Sequence, residues 1–125
     1  MEPSEVVRAL WHRIQDRNWS GAAELVAENA VIEWPASRER IAGRDNIIAV
    51  NREYPEGWSI KVLRVIAEED QVAAEVEVPH ADLGLFRVAG FYKVMGGQIL
   101  HGTEYWTTFG ADEPPPDRAQ WAERY

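Results

Sequence analysis

The chain has 125 residues, a length that fits one domain and suffices to bury about two-thirds of the surface an unfolded chain exposes. Thirteen Lys and Arg against 21 Asp and Glu leave a net charge of −8, so phosphate backbones repel the molecule and nucleic acid is excluded as a partner class. Cysteine is absent, which removes disulfides, thiolate nucleophiles and thiolate metal sites.

The N-terminal Met-Glu-Pro-Ser-Glu lacks the basic and apolar regions of a secretion signal, and no apolar run is long enough to span a bilayer. A cytoplasmic protein without a membrane partner is therefore expected. Residues 4–18 read as a helix capped by Ser4, with Val6, Val7, Leu10, Trp11 and Ile14 forming one apolar stripe. A second helix is expected from the cap Ser20 to about Glu28. Ala30–Trp34 then reads as a strand ended by Pro35, and 38–42 as a short second strand closed by Gly43. Asp45 is the expected cap of a third helix, which Pro55 and Gly57 stop.

The remainder reads as β. Residues 58–67 are rich in Ile, Val and Leu, and residues 71–80 alternate cleanly. Val72, Ala74, Val76, Val78 and His80 lie on one face of that strand, with Glu75 and Glu77 on the other, the pattern of a sheet with one dry face. Residues 85–95 and 98–109 form two more strands around Gly96-Gly97, a dipeptide that tolerates positive φ at both positions of a tight turn. Residues 1–109 thus form one α+β domain, three N-terminal helices on a curved, mostly antiparallel sheet with a conical hollow between the layers. Residues 110–125 form a tail with three consecutive prolines, and Asp117 is expected to cap a short turn that lets Trp121 dock.

This order of elements resembles the NTF2-like cone fold, and within it the SnoaL-like branch of polyketide cyclases, ketosteroid isomerases and epoxide hydrolases. The residues that carry the resemblance are Ala30-Val-Ile-Glu-Trp-Pro35, Arg40-Ile-Ala-Gly-Arg-Asp-Asn-Ile47, Gly97-Gln-Ile99 and Glu104-Tyr-Trp106. The resemblance implies a small apolar ligand inside the cone and a homodimer through the outer sheet face. It implies no cofactor. Ketosteroid isomerases use an Asp base, with a Tyr and a protonated Asp holding the oxyanion. The matching positions here are Trp34, Leu10 and Gly90, so that reaction is not expected. Nor is the Arg/Asp pair of the epoxide hydrolases evident on the late strands.

Alternation puts Phe86, Val88, Gly90, Tyr92 and Val94 on the inner face of the 85–95 strand. The last strand has two registers. A strict two-residue turn pairs Val94 with Ile99 and puts His101 and Tyr105 inside. A three-residue turn with a bulge puts Gly102, Glu104 and Trp106 inside. The resemblance favours the second. Glu104 is then the main catalytic candidate, because a carboxylate in an aromatic hollow has its charged form disfavoured and can move a proton near neutral pH. The alternative is a carboxylate paired with an arginine or facing water. His80, at the end of a dry strand, is the second candidate, as a proton shuttle at the cone's mouth or as a solvated ring. Trp34, Tyr54, Val88, Tyr92, Gly102 and Trp106 are the expected ligand contacts. Trp11 is assigned to the core, and Trp19 and Trp58 to packing beside turns. No pair of histidines has metal-site spacing, so no metal is expected.

Three functions follow. The first is a protein that binds a small apolar or aromatic molecule. The second is an enzyme of the cyclase, isomerase, dehydratase or hydrolase kind using Glu104. The third is a protein-interaction module.

Overall fold

A Pro at the first helical position needs no N–H partner, and an acid before it can cap. The cap of the first helix accordingly lies two residues earlier than expected. In the computed structural model, which describes residues 1–125, α1 spans Pro3–Gln15. Glu2, not Ser4, is its cap, and the Glu2 N–H donates in turn to the Glu5 side chain. The helix stops at Gln15 because Arg17 turns to φ 55°. The stripe Val6, Val7, Leu10, Trp11 and Ile14 is buried as predicted.

The second helix, α2, covers only Trp19–Glu24. Its cap is Asn18 rather than Ser20, with Oδ1 accepting from the Gly21 N–H at 3.0 Å. Residues beyond Glu24 leave the helix because the sheet claims them. Strand β1 runs Val26–Trp34, four residues longer than expected at its start. There Val26 pairs with Ile99, and the Leu25 carbonyl accepts from the Ile99 N–H at 2.8 Å. Strand β2 covers Glu39–Ala42. Helix α3 covers Arg44–Arg52 and starts from Gly43 at φ 92°, without a side-chain cap from Asp45.

Four long strands follow: β3 Lys61–Glu68, β4 Gln71–His80, β5 Gly84–Met95 and β6 Gln98–Thr108. The start expected at Trp58 is replaced by a single bridge from Trp58 to His80. Strand order is β2-β1-β6-β5-β4-β3. Every neighbouring pair is antiparallel except β1 and β6, which run parallel. The helices cover one face of this sheet and seal a core of 22 buried hydrophobic residues. Each fully buried Val or Ile contributes about 1.5–3 kcal/mol against solvent. On β4 the alternation predicted from sequence is the alternation observed, from Val72 to His80.

The register of β6 combines both sequence alternatives. Gly96 and Gly97 adopt φ 59° and 75°, a two-residue turn that pairs Val94 with Ile99. One residue later the pairing slips, so that Lys93 opposes His101 and Leu100 is left as a bulge. The bulge therefore lies in the strand and not in the turn. Beyond it Gly102 and Glu104 are buried, and His101 and Tyr105 are exposed.

The tail forms a 3-10 turn over Pro116–Arg118, capped by Pro115 rather than Asp117. Trp121 is 80% exposed and does not dock on its own domain. The tail's own contacts are a Phe109–Tyr125 ring pair and an Arg124–Glu113 ion pair.

Two glycines on facing strands make room for one ring. Tyr92 pairs with Gly102, and Gly90 pairs with Glu104. A Cβ on Gly102 would come 2.6 Å from Ile32 Cδ1 and 2.8 Å from Tyr92 Cδ1. Gly102→Ala should therefore lower the urea midpoint at constant m-value, by about 1–3 kcal/mol of stability from overpacking. Wild-type stability in that variant would show that Tyr92 is not pinned there.

Candidate functional site

The inward side chains of β1, β5 and β6 meet at Glu104. Glu33 pairs with Thr103 on the parallel strands, which sets Trp34 beside Glu104. The Trp34 indole N–H donates to Glu104 Oε1 at 2.8 Å, and the Trp106 indole N–H donates to the same oxygen at 3.2 Å. The Tyr92 hydroxyl donates to Oε2 at 2.6 Å, across the space that Gly90 leaves open. Glu104 itself is 9% exposed. The carboxylate is thus not bare in an apolar hollow, as the sequence suggested. It is an acceptor served by three neutral donors. A carboxylate offers roughly four lone-pair sites, so one remains unused.

Burial holds the Tyr92 hydroxyl well above its usual value of 10.0, and the adjacent Glu104 charge and hydrogen bond raise it further. The Trp11 indole works in the opposite direction. Its N–H nevertheless has no partner at hydrogen-bond geometry, and neither has that of Trp58.

Glu104 forms part of the wall of a cavity of about 390 Å³. Eleven of its fifteen lining residues are hydrophobic. Helix α1 supplies Trp11 and Ile14, α3 supplies Val50 and Asn51, and Trp34, Phe86, Glu104 and Trp106 come from the sheet. Trp58, Ile60 and Tyr54 stand on the connection between α3 and β3. A smaller space behind Glu104 is lined by Tyr92, Ile32 and Leu10 among others.

Of the residues singled out from sequence, Glu104, His80, Trp34, Tyr54 and Trp106 reach the cavity. Tyr92 reaches only the smaller space and acts through Glu104. Val88 and Gly102 do not line the cavity. Val88 is sealed between Val76 and Trp106 in the sheet, and Gly102 lies against Ile32 and Tyr92. His80 is buried with both ring nitrogens engaged. Nδ1 accepts from the Asp82 and Leu83 N–H groups at 3.1 and 3.3 Å, and Nε2 lies 3.0 Å from the Pro55 carbonyl. The ring fastens the β4–β5 turn to the end of the α3 connection, and no nitrogen is left for a shuttle. Trp11 and Trp58 line the cavity instead of serving only as packing. Their apolar character fitted either role, so only the placement of α1 over the sheet distinguishes them. On the outer face, His101 Nε2 meets Glu33 Oε1 at 2.8 Å. That hydrogen bond first, and Arg40 second, hold Glu33 below the usual carboxylate range.

Residues 7–102 match the SnoaL-like domain. The chain belongs to the SnoaL-like family. Its fold is the NTF2-like cone. Similar structures include a candidate ketosteroid isomerase from Kribbella flavida, with 31% identity and a TM-score of 0.90, covering 98% of this chain and 89% of that one. An NTF2-like protein of unknown function from Burkholderia xenovorans follows at 22% identity and TM-score 0.80, covering 98% and 94%. An epoxide hydrolase from M. tuberculosis has 21% identity and TM-score 0.72, covering 84% and 82%. No curated protein matches the chain.

In this SnoaL-like domain the Tyr92–Glu104 bond has a pH signature. A phenol whose folded pKa is raised contributes stability that is complete below its ordinary pKa near 10.0 and is lost as pH rises past it. Tyr92→Phe should cost about 1–3 kcal/mol at neutral pH, since Glu104 loses a donor. The gap between variant and wild type should narrow above pH 10.0, measured by urea unfolding along a pH series. A gap constant with pH would count against a buried, neutral Tyr92.

Proposed function

We propose that this protein binds a small, largely apolar or aromatic molecule in the cone, with Glu104 as the polar contact that orients it. The observation that carries this reading is one donor-held carboxylate in the wall of a largely apolar, indole-rich cavity. Sites of this kind bind through apolar area and orient through a few fixed polar groups. The free lone pair of Glu104 is the contact on offer.

A second reading is acid–base turnover of such a molecule, and the same lone pair favours it. A carboxylate held rigidly by three donors can accept a proton from a bound substrate without first shedding water. Tyr92 is then a positioning residue for Glu104. The names of the neighbours, an isomerase and an epoxide hydrolase, are compatible with chemistry in this cone. The isomerase groups are nevertheless replaced here by Trp34, Leu10 and Gly90, so the shared fold does not carry that reaction over. The exposed Phe91 and Tyr105, with ring centroids 6.3 Å apart on the outer sheet face, support a homodimer through that face. No helix is long and apolar enough to cross a membrane, and a cytoplasmic location is part of the proposal.

Binding of para-ethylphenol, followed by quenching of cavity tryptophans, tests the reading. In wild type para-ethylphenol should bind tighter than ethylbenzene, because its hydroxyl can donate to Glu104. In Glu104→Gln that preference should shrink, with the binding of ethylbenzene retained. A preference unchanged in the variant would remove Glu104 as the contact.

A further inference from the structure

The charges around the cavity do not balance. Glu104 is the one acidic side chain on its wall, and the wall carries no Lys or Arg. None of the eight ion pairs in the structure includes Glu104. His80 does not supply the missing charge. Its Nδ1 accepts two backbone N–H bonds, which leaves the ring proton on Nε2 for the Pro55 carbonyl, the pattern of a neutral imidazole. A carboxylate held away from water ordinarily has a cation beside it. Here neutral indole and phenol donors hold it in place and no cation of the protein answers it.

The surroundings suit a cation that comes from outside. Four indoles (Trp11, Trp34, Trp58 and Trp106) line the cavity together with Tyr54 and Phe86. Aromatic faces attract ammonium groups, tryptophan most strongly. Trp58 already accepts one such contact, with the Arg17 guanidinium carbon 3.3 Å from its ring centroid. That arginine is committed to Glu56 at 2.7 Å, and its hydrogen bonds hold Glu56 below the usual carboxylate range. The net charge of −8 draws cations toward the molecule as a whole.

We propose that the molecule bound in the cone is a small organic cation, a protonated amine or quaternary ammonium with apolar or aromatic substituents. Its charge faces Glu104 and its body packs against the indoles. The proposal rests on the reading of the cone as a ligand site and adds the ligand's charge. A neutral ligand would leave the buried carboxylate without a counter-charge, and an anionic one would face it directly.

The test compares benzyltrimethylammonium with neopentylbenzene, in which carbon replaces the charged nitrogen and the shape is kept. Binding to the full chain is followed by tryptophan quenching. The cation should bind about tenfold tighter or better to wild type. In Glu104→Gln the preference for the cation should shrink severalfold to what the indoles alone supply, with the affinity for neopentylbenzene retained as evidence that the cone is intact. Equal affinities in wild type, or a preference undiminished in Glu104→Gln, would overturn the charge assignment and leave the apolar cone standing. Quenching by neither probe would overturn the ligand-site reading and this inference together. Should the variant fail to fold, the wild-type ratio decides alone.

Discussion

One carboxylate ties three strands of the sheet to each other. Glu104 on β6 takes donors from Trp34 on β1, Tyr92 on β5 and Trp106 on its own strand. Placing a carboxylate under a helical layer is costly unless its oxygens are satisfied. The three bonds meet that demand, and in doing so they set the orientation of two of the cavity's indoles. The cavity wall and the buried charge are therefore one arrangement. The backbone cooperates at two places. Gly90 leaves room opposite Glu104 for the Tyr92 hydroxyl, and Gly102 leaves room opposite Tyr92 for its ring.

The arrangement depends in turn on a single irregularity in the last hairpin. The two-residue Gly96-Gly97 turn by itself would send Glu104 to the solvent face. The Leu100 bulge reverses that, because one extra residue moves every later side chain to the opposite face. Strand β1 runs parallel to β6 and registers against it on both sides of the bulge, with Val26 opposite Ile99 and Val31 opposite His101. The irregular spacing of those two pairs shows β1 accommodating the same interruption. The bulge is thus held from both neighbouring strands and not from the turn alone.

Set against the ketosteroid isomerase pattern, the acid of this cone stands on a different strand. The β1 position where those relatives keep a base holds Trp34, whose N–H points at Glu104 on the adjoining strand. The position of their protonated aspartate is Gly90, and the volume a side chain would need there is filled by the Tyr92 hydroxyl. The cone keeps a carboxylate and an aromatic donor but presents them from β6 and β5. A shared cone fold therefore does not fix which strand carries the acid. The arrangement also accounts for the tryptophan content. Four of the six line the cavity. Trp19 packs on Trp58, with ring centroids 6.4 Å apart, and Trp121 stays exposed on the tail.

Much of this was legible in the chain because it is local. The apolar stripe of α1 follows from a 3.6-residue period, the dry face of β4 from a two-residue period, and the turn at Gly96-Gly97 from the φ angles that glycine permits. For the last strand those periods left two registers, and the family resemblance, not alternation, favoured the one that puts Glu104 and Trp106 inside. What the sequence left open depended on partners far away in the chain. The early start of β1 at Val26 follows from its pairing with Ile99, a partner far along the chain, and no local preference announces that. The committed nitrogens of His80 depend on Pro55 and the turn after β4, and the choice between plain packing and cavity wall for Trp58 depends on where α1 lies. The sequence by itself determined which residues are apolar, which turn and which carry charge. Only the tertiary structure decided which strand took the bulge and therefore that Glu104 faces inward among donors, because register is a property of paired strands and not of either one alone.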